Sequence, residues 1–198
     1  RDIPDPILDH VIKGVPSKNM MNKLQTAISA LYAFDDDPDS VDPYENFLKS
    51  ISLIAKLPAI IAYSYLATFK ENPSFVKAPP HLSHAEAFLY MFNEGKEASP
   101  LESHILDLCL GLHAEHGGGN NSTFTTYVVS SSASDIYSTT AASVGSLKGP
   151  LHGSANKKVR DMMMDIQSHM TDLANEDELK DYVNKILNKD GHDGSGKL

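Results

Sequence analysis

The stretch PLESHILDLCLGLHAEHGGGNN, residues 100–121, decides the fold class. Ile105, Leu108, Cys109 and Leu112 recur at three- and four-residue spacing, which places them on one face of a helix. Pro100 marks its start, because proline fits the first helical position, where its missing N–H has no intrahelical partner. Gly117-Gly118-Gly119 marks its end, since glycine enters the left-handed, helix-stopping conformation without a Cβ penalty. The spacing predicts a helix over about 100–116. Cys109 on its apolar face reads as a small buried hydrophobe rather than a nucleophile.

The same period runs outward in both directions. Residues 19–34 place Met20, Leu24, Ile28 and Leu31 at helical spacing, and Asp35-Asp36-Asp37-Pro38-Asp39 stops that helix. A helix over about 43–70 carries Leu48, Ile51, Ile54 and Ala55; Pro58 inside it predicts a kink or break. Residues 72–82 hold three prolines and read as loop. Ser83-His84-Ala85-Glu86 is a capping-box start for a helix over 84–93. A small-residue helix follows over 135–147, closed by Gly149-Pro150. Another spans 154–170, with Val159, Met162, Met163 and Ile166 facing inward, and a last one spans about 176–188. The fold class is all-α. Residues 123–133 are the ambiguous segment, because TFTTYVVSSSA is rich in β-branched side chains and suits a strand by propensity.

A chain of 198 residues with 41% hydrophobic content is ordinary for a globular protein. Its net charge of −9 argues against nonspecific nucleic-acid binding, which needs clustered Lys and Arg to neutralise phosphates. One cysteine excludes an internal disulfide framework and fits a reducing compartment. No apolar run reaches the roughly 20 residues that span a bilayer. The polar start Arg1-Asp2-Ile3-Pro4-Asp5-Pro6 is unlike a signal peptide. A first residue other than Met suggests a piece of a longer chain.

Two histidines stand beside glycine-rich turns: His116 before Gly117–Asn120, and His152 in Gly149-Pro150-Leu151-His152-Gly153. Imidazole holds or moves a proton near neutral pH, and glycine lets backbone amides approach a small anion. The alternatives are a helix C-terminal histidine facing the dipole for His116 and a polar junction residue for His152. His113 and His116 are three apart, which is not the HExxH arrangement, and no third ligand is evident, so no metal site is expected. Glu115 reads as a structural partner. His10, His81, His84, His104 and His169 read as surface or packing residues.

The run LHAEHGGGNNSTFTT…VVSSSASDIYS…AASVGSLKGPLHGSANKKV, with MNKLQTAISALYAFDDDP and FLKSISLIAKLPAIIAYSY upstream, resembles citrate synthase of the bacterial type. The resemblance covers most of the chain in order. It implies a multi-helical, all-α fold and a helix over 123–133. It implies part of a large domain over 1–153 and the start of a small domain over 154–198. It implies condensation of acetyl-CoA with oxaloacetate, with acetyl-CoA a co-substrate and no permanently bound cofactor. By motif position His152 matches the histidine that polarises the acetyl-CoA carbonyl, His116 the oxaloacetate-binding histidine, and Asn120 a ligand-side position of the same turn. A cytoplasmic homodimer follows by the same resemblance, with helices 100–116 and 135–147 as candidate interfaces and no membrane partner.

The departures count as well. The family's following Gly-x-Gly-His and Asp-Pro-Arg segment, its catalytic aspartate and its later arginines do not precede Leu198. His192 in Gly-His-Asp-Gly lacks the expected arginine and reads as a loop residue. Tyr127 stands where many relatives carry arginine. Two other readings stay open: 2-methylcitrate synthase using propionyl-CoA, and a non-catalytic helical dimerisation module.

Overall fold

Helix starts in this chain are written into short polar side chains, and a computed structural model of residues 2–114, 117–153 and 155–196 shows them in place. Helix α1 (Met20–Leu31) opens on Asn19, whose side chain accepts from the Asn22 N–H. Helix α2 (Pro43–Phe69) opens on Asp42, which accepts from the Tyr44 and Glu45 N–H groups, with Pro43 at the first position. Helices α3 (His84–Phe92) and α4 (Pro100–His113) begin with full capping boxes, Ser83 with Glu86 and Ser99 with Glu102. Each reciprocal pair satisfies two donors that a bare helix end leaves orphaned. Helices α5 (Asn121–Ser130), α6 (Ile136–Leu147) and α8 (Glu176–Leu187) start from Asn120, Asp135 and Asn175. Helix α7 spans Ala155–His169. A π-helix (Ile7–Ile12) precedes α1 and a 3₁₀ turn (Tyr32–Phe34) follows it. Among the described residues there is no strand.

Helix α2 corrects the sequence reading at Pro58. It runs unbroken through that residue, for 27 residues in all. Proline removes one N–H donor, yet the turns on both sides are held by burial of Leu53, Ala59, Ile60, Ala62, Tyr63 and Leu66. Packing over that length outweighs the local loss, which is about 3 kcal/mol for proline in a helix interior. Unbroken, the helix is long and apolar enough by length and composition to cross a bilayer, contrary to the apolar-run reading. Its buried face instead forms the centre of the core.

The chain divides into two compact units, Arg1–Lys148 and Gly149–Leu198. In the first, Ile7, Ile12, Ile28, Ile60, Leu66 and Met91 are almost wholly buried. Helix α6 packs against both α1 and α5, and α3 packs against α2 and α4. Lys23 is the charged exception inside this unit: 4% exposed, it donates from Nζ to the Ile12 carbonyl oxygen at 2.8 Å. That bond satisfies a C-terminal carbonyl of the π-helix. The second unit closes a smaller core of Ile166, Tyr182 and Ile186 between α7 and α8.

Two faces differ from their sequence reading. Cys109 is exposed, and no residue of α4 is buried. Ile105, Leu108 and Leu112 are 52%, 52% and 77% exposed, because α4 meets α3 rather than the interior. In α7, Ile166 faces inward and Met162 packs beside it, but Val159 and Met163 are 49% and 59% exposed. The stripe of α7 that α8 covers is narrower than the periodicity offers.

Candidate functional site

The first station is the turn between α4 and α5. His116 and Glu115 lie outside the described residues. His113, the last residue of α4, bonds through Nδ1 to the Cys109 carbonyl oxygen at 2.7 Å. A carbonyl only accepts, so this nitrogen carries the proton. Gly117 follows with φ +72°, a conformation that disfavours any side chain. At Gly117, Gly118 and Gly119 an added Cβ meets nothing within 4 Å. Among the described residues, therefore, no neighbour requires glycine at 118 or 119.

Asn120 fixes the far side of that turn. Its Oδ1 accepts from the Thr123 N–H at 2.9 Å, the Thr123 hydroxyl at 3.0 Å and the Ser122 hydroxyl at 2.7 Å. Its Nδ2 donates to the Gly117 carbonyl at 3.2 Å. Asn120 thus clamps both ends of the glycine turn and caps α5.

The second station is the turn that opens the second unit. The His152 N–H donates to the Gly149 carbonyl at 3.0 Å, closing a four-residue turn with Pro150 at its second position. Proline pre-sets the backbone angle needed there. His152 is half-buried, while its neighbour Leu151 is 99% exposed. Ser154 lies outside the described residues. Asn120 belongs to the first unit and His152 to the second.

Helix α6 ends just before this turn, and α5 begins just after the other. Asn121 Nδ2 donates to Ser146 Oγ at 2.8 Å, and the hydroxyls of Thr126 and Ser143 lie 2.6 Å apart. Sequence reading missed Asn121 and Ser146; the available signal is a second polar residue after the Asn120 cap, where one cap suffices. His192, read as a loop residue, has φ +51° and sets Nδ1 3.9 Å from Asp165 Oδ2. The Tyr182 hydroxyl donates to that same oxygen at 2.7 Å. Among the described residues no group of three or more His, Cys, Asp or Glu is arranged to hold a metal ion.

Residues 1–196 match the family described as citrate synthase, C-terminal domain. Citrate synthase of Haloferax volcanii is 35% identical over 189 residues, covering 93% of this chain and 48% of that protein. Citrate synthase 2 of Bacillus subtilis is 39% identical over 166 residues, covering 83% and 43%. The crystal structure of citrate synthase from Pyrobaculum aerophilum superposes with a TM-score of 0.72 at 29% identity, covering 100% of this chain and 48% of that one. The chain spans about half the length of the curated relatives it matches.

Proposed function

The chain belongs to the citrate synthase family, and on that premise we propose that the protein carrying it condenses acetyl-CoA with oxaloacetate to give citrate and free CoA. The observation that carries the reading is the pair of glycine-flanked histidine stations, His116 before Gly117–Asn120 and His152 within Gly149–Gly153, in a chain whose residues 1–196 match the family.

The chemistry explains the residue types. The methyl group beside a thioester is a very weak carbon acid. Removing its proton places negative charge on the thioester oxygen, and a preorganised donor lowers that cost. His152 is that donor, held by a turn whose backbone is fixed by Pro150 and the Gly149 hydrogen bond. The proton passes to a carboxylate base. The methyl carbon then bonds to the ketone carbon of oxaloacetate, whose oxygen takes up a proton. Hydrolysis of the thioester releases CoA. His116 and the amides of the Gly117–Asn120 turn hold oxaloacetate, with Asn120 also keeping that turn open.

No cofactor stays bound, and acetyl-CoA is a co-substrate. Residues 1–153 form part of a large domain and 154–198 the start of a small one. The protein works in the cytoplasm as a homodimer. The uncovered apolar face of α4, with Leu101, Ile105, Leu108 and Leu112 all more than half exposed, supports association through that helix.

The test is thiol release from acetyl-CoA or propionyl-CoA with oxaloacetate, by a protein of the relatives' full length carrying this sequence and by the 198-residue chain alone. Release by the longer protein, faster with acetyl-CoA, is the expected result. No release from the 198-residue chain is expected. Faster release with propionyl-CoA makes the protein a 2-methylcitrate synthase, and none with either donor overturns the catalytic reading.

A further inference from the structure

Helix α6 is smooth. Its sequence IYSTTAASVGSL offers mostly Ser, Thr, Ala and Gly to its neighbours. Small side chains let helices approach closely, but shallow ridges resist sliding weakly, since register in helix packing comes from ridges seated in grooves. Register then falls to directional contacts. Two cross from α5 to α6: Asn121 Nδ2 to Ser146 Oγ at 2.8 Å, and Thr126 Oγ1 with Ser143 Oγ at 2.6 Å. They run in opposite chain directions, so the first residue of α5 meets the last turn of α6. On its other side α6 is seated just as closely. A Cβ at Gly145 would lie 2.6 Å from Nε2 of Gln25 in α1.

Asn121 is not the cap of α5, because Asn120 fills that role. Its side chain reaches instead across 25 positions of sequence to the end of the neighbouring helix. Both ends it joins lead to candidate stations. Asn121 directly follows the Gly117–Asn120 turn, and Ser146 stands two residues before Lys148, where the chain leaves the first unit toward His152.

We infer that Asn121 and Ser146 are positioning residues: their hydrogen bond fixes the register of α5 against α6, and with it the place of the Gly117–Asn120 turn over the last turn of α6. The inference rests on the proposed reading that this turn holds oxaloacetate. The bond lies at the surface, so it adds little to global stability, whereas displacement of a reacting group by even about 1 Å costs up to roughly 100-fold in rate.

The experiment uses a protein of the relatives' full length carrying this sequence, with Asn121→Ala, Ser146→Ala, the double variant and Ser146→Thr. Each alanine variant is expected to lower kcat/KM about tenfold, through both kcat and the KM for oxaloacetate, with the thermal midpoint unchanged. The double variant is expected to be no worse than either single one, because both remove the same bond. Ser146→Thr, which keeps the hydroxyl, restores most of the loss. Alanine variants that lower the midpoint yet keep wild-type kinetics overturn the inference, as do losses that multiply in the double variant. An unmodified protein that releases no thiol overturns the proposed function and this inference with it. An active unmodified protein with unaffected variants overturns this inference alone.

Discussion

The Tyr137 hydroxyl donates to Asp35 Oδ2 at 2.6 Å, tying the first turn of α6 to the segment 102 positions earlier that leaves the 3₁₀ turn. Lys49 Nζ stands 3.5 Å from the same oxygen, and the Asp37 N–H donates to Oδ1 at 3.0 Å. Tyr137 is 8% exposed. The bond is part-buried, and removing the hydroxyl takes away one hydrogen bond to a charged group, worth about 1.5–3 kcal/mol. Tyr137→Phe is therefore expected to lower the urea midpoint of the 198-residue chain without changing the slope of its transition. A midpoint equal to that of the unmodified chain contradicts this reading of the pair.

The same contact gives the chain an acid limit. Burial pushes the Asp35 carboxyl up, but the Tyr137 hydrogen bond, the Asp37 N–H and Lys49 together outweigh that and hold it below its ordinary range. A carboxyl depressed in the folded state contributes stability that is present above its unfolded value of about 4 and is lost as pH falls through the folded value. Tyr63 sets an alkaline limit by the opposite sign. Burial, and then the charge of Asp2, raise its hydroxyl to about 12. Its contribution is present below about pH 10 and disappears as pH rises through the folded value. Urea midpoints measured between about pH 3 and 7 should fall on the acid side, and less steeply for Asp35→Asn. An identical acid slope in that variant assigns the loss to other carboxyls.

The legible part of this fold was the part set by local rules. Capping boxes at Ser83 and Ser99 and the Asn120 and Asp135 caps fix where helices begin, and all are readable within four residues. Helix α5 shows how far that reaches. Its TFTTYVV run has strand propensity, yet Thr125 and Thr126 turn their hydroxyls back to the Asn121 and Ser122 carbonyls at 2.8 and 2.9 Å. The Asn120 cap and packing on α6 override propensity. What the chain did not disclose depends on distant partners: continuity through Pro58, the uncovered face of α4 with Cys109 on it, and the outward turn of Val159 and Met163. Periodicity says that a face is apolar, and not what covers it. At the site, the two histidines and Asn120 stood out by their glycines. Asn121 did not, because its partner Ser146 is found only by folding α6 back along α5.

Ile186 is fully buried and touches a core whose other buried members, among the described residues, are Ile166 and Tyr182. Met162 and Met170 pack against it, and polar contacts add to it: Tyr182 to Asp165, and Glu178 accepting from the Thr171 and Asp172 N–H groups at 2.8 and 3.2 Å. A core this small has little stability to spare, and Ile→Ala in a buried site costs about 2–5 kcal/mol. Ile186→Ala is expected to unfold the second unit while the first stays folded. Amide exchange should then show α7 and α8 losing protection, with α1, α2 and α6 unchanged. Protection lost throughout both units would mean that they fold as one.

His152 separates the catalytic reading from a structural one. It sits half-buried in the turn that opens the second unit, and the turn itself is closed by its backbone N–H to the Gly149 carbonyl at 3.0 Å. Alanine at 152 keeps that backbone bond, so the turn should survive the substitution. Away from cores and caps such changes fall within about 0.5 kcal/mol. If the imidazole is the donor to the thioester oxygen, its loss removes an interaction made mainly as charge develops there. That lowers kcat and kcat/KM together rather than raising KM alone. In a protein of the relatives' full length carrying this sequence, His152→Ala is expected to reduce thiol release about 100- to 10,000-fold. Its thermal midpoint should stay within a few degrees of the parent. A variant with near-parental turnover removes His152 from the chemistry. A variant with both turnover and midpoint collapsed makes it a structural residue of the turn.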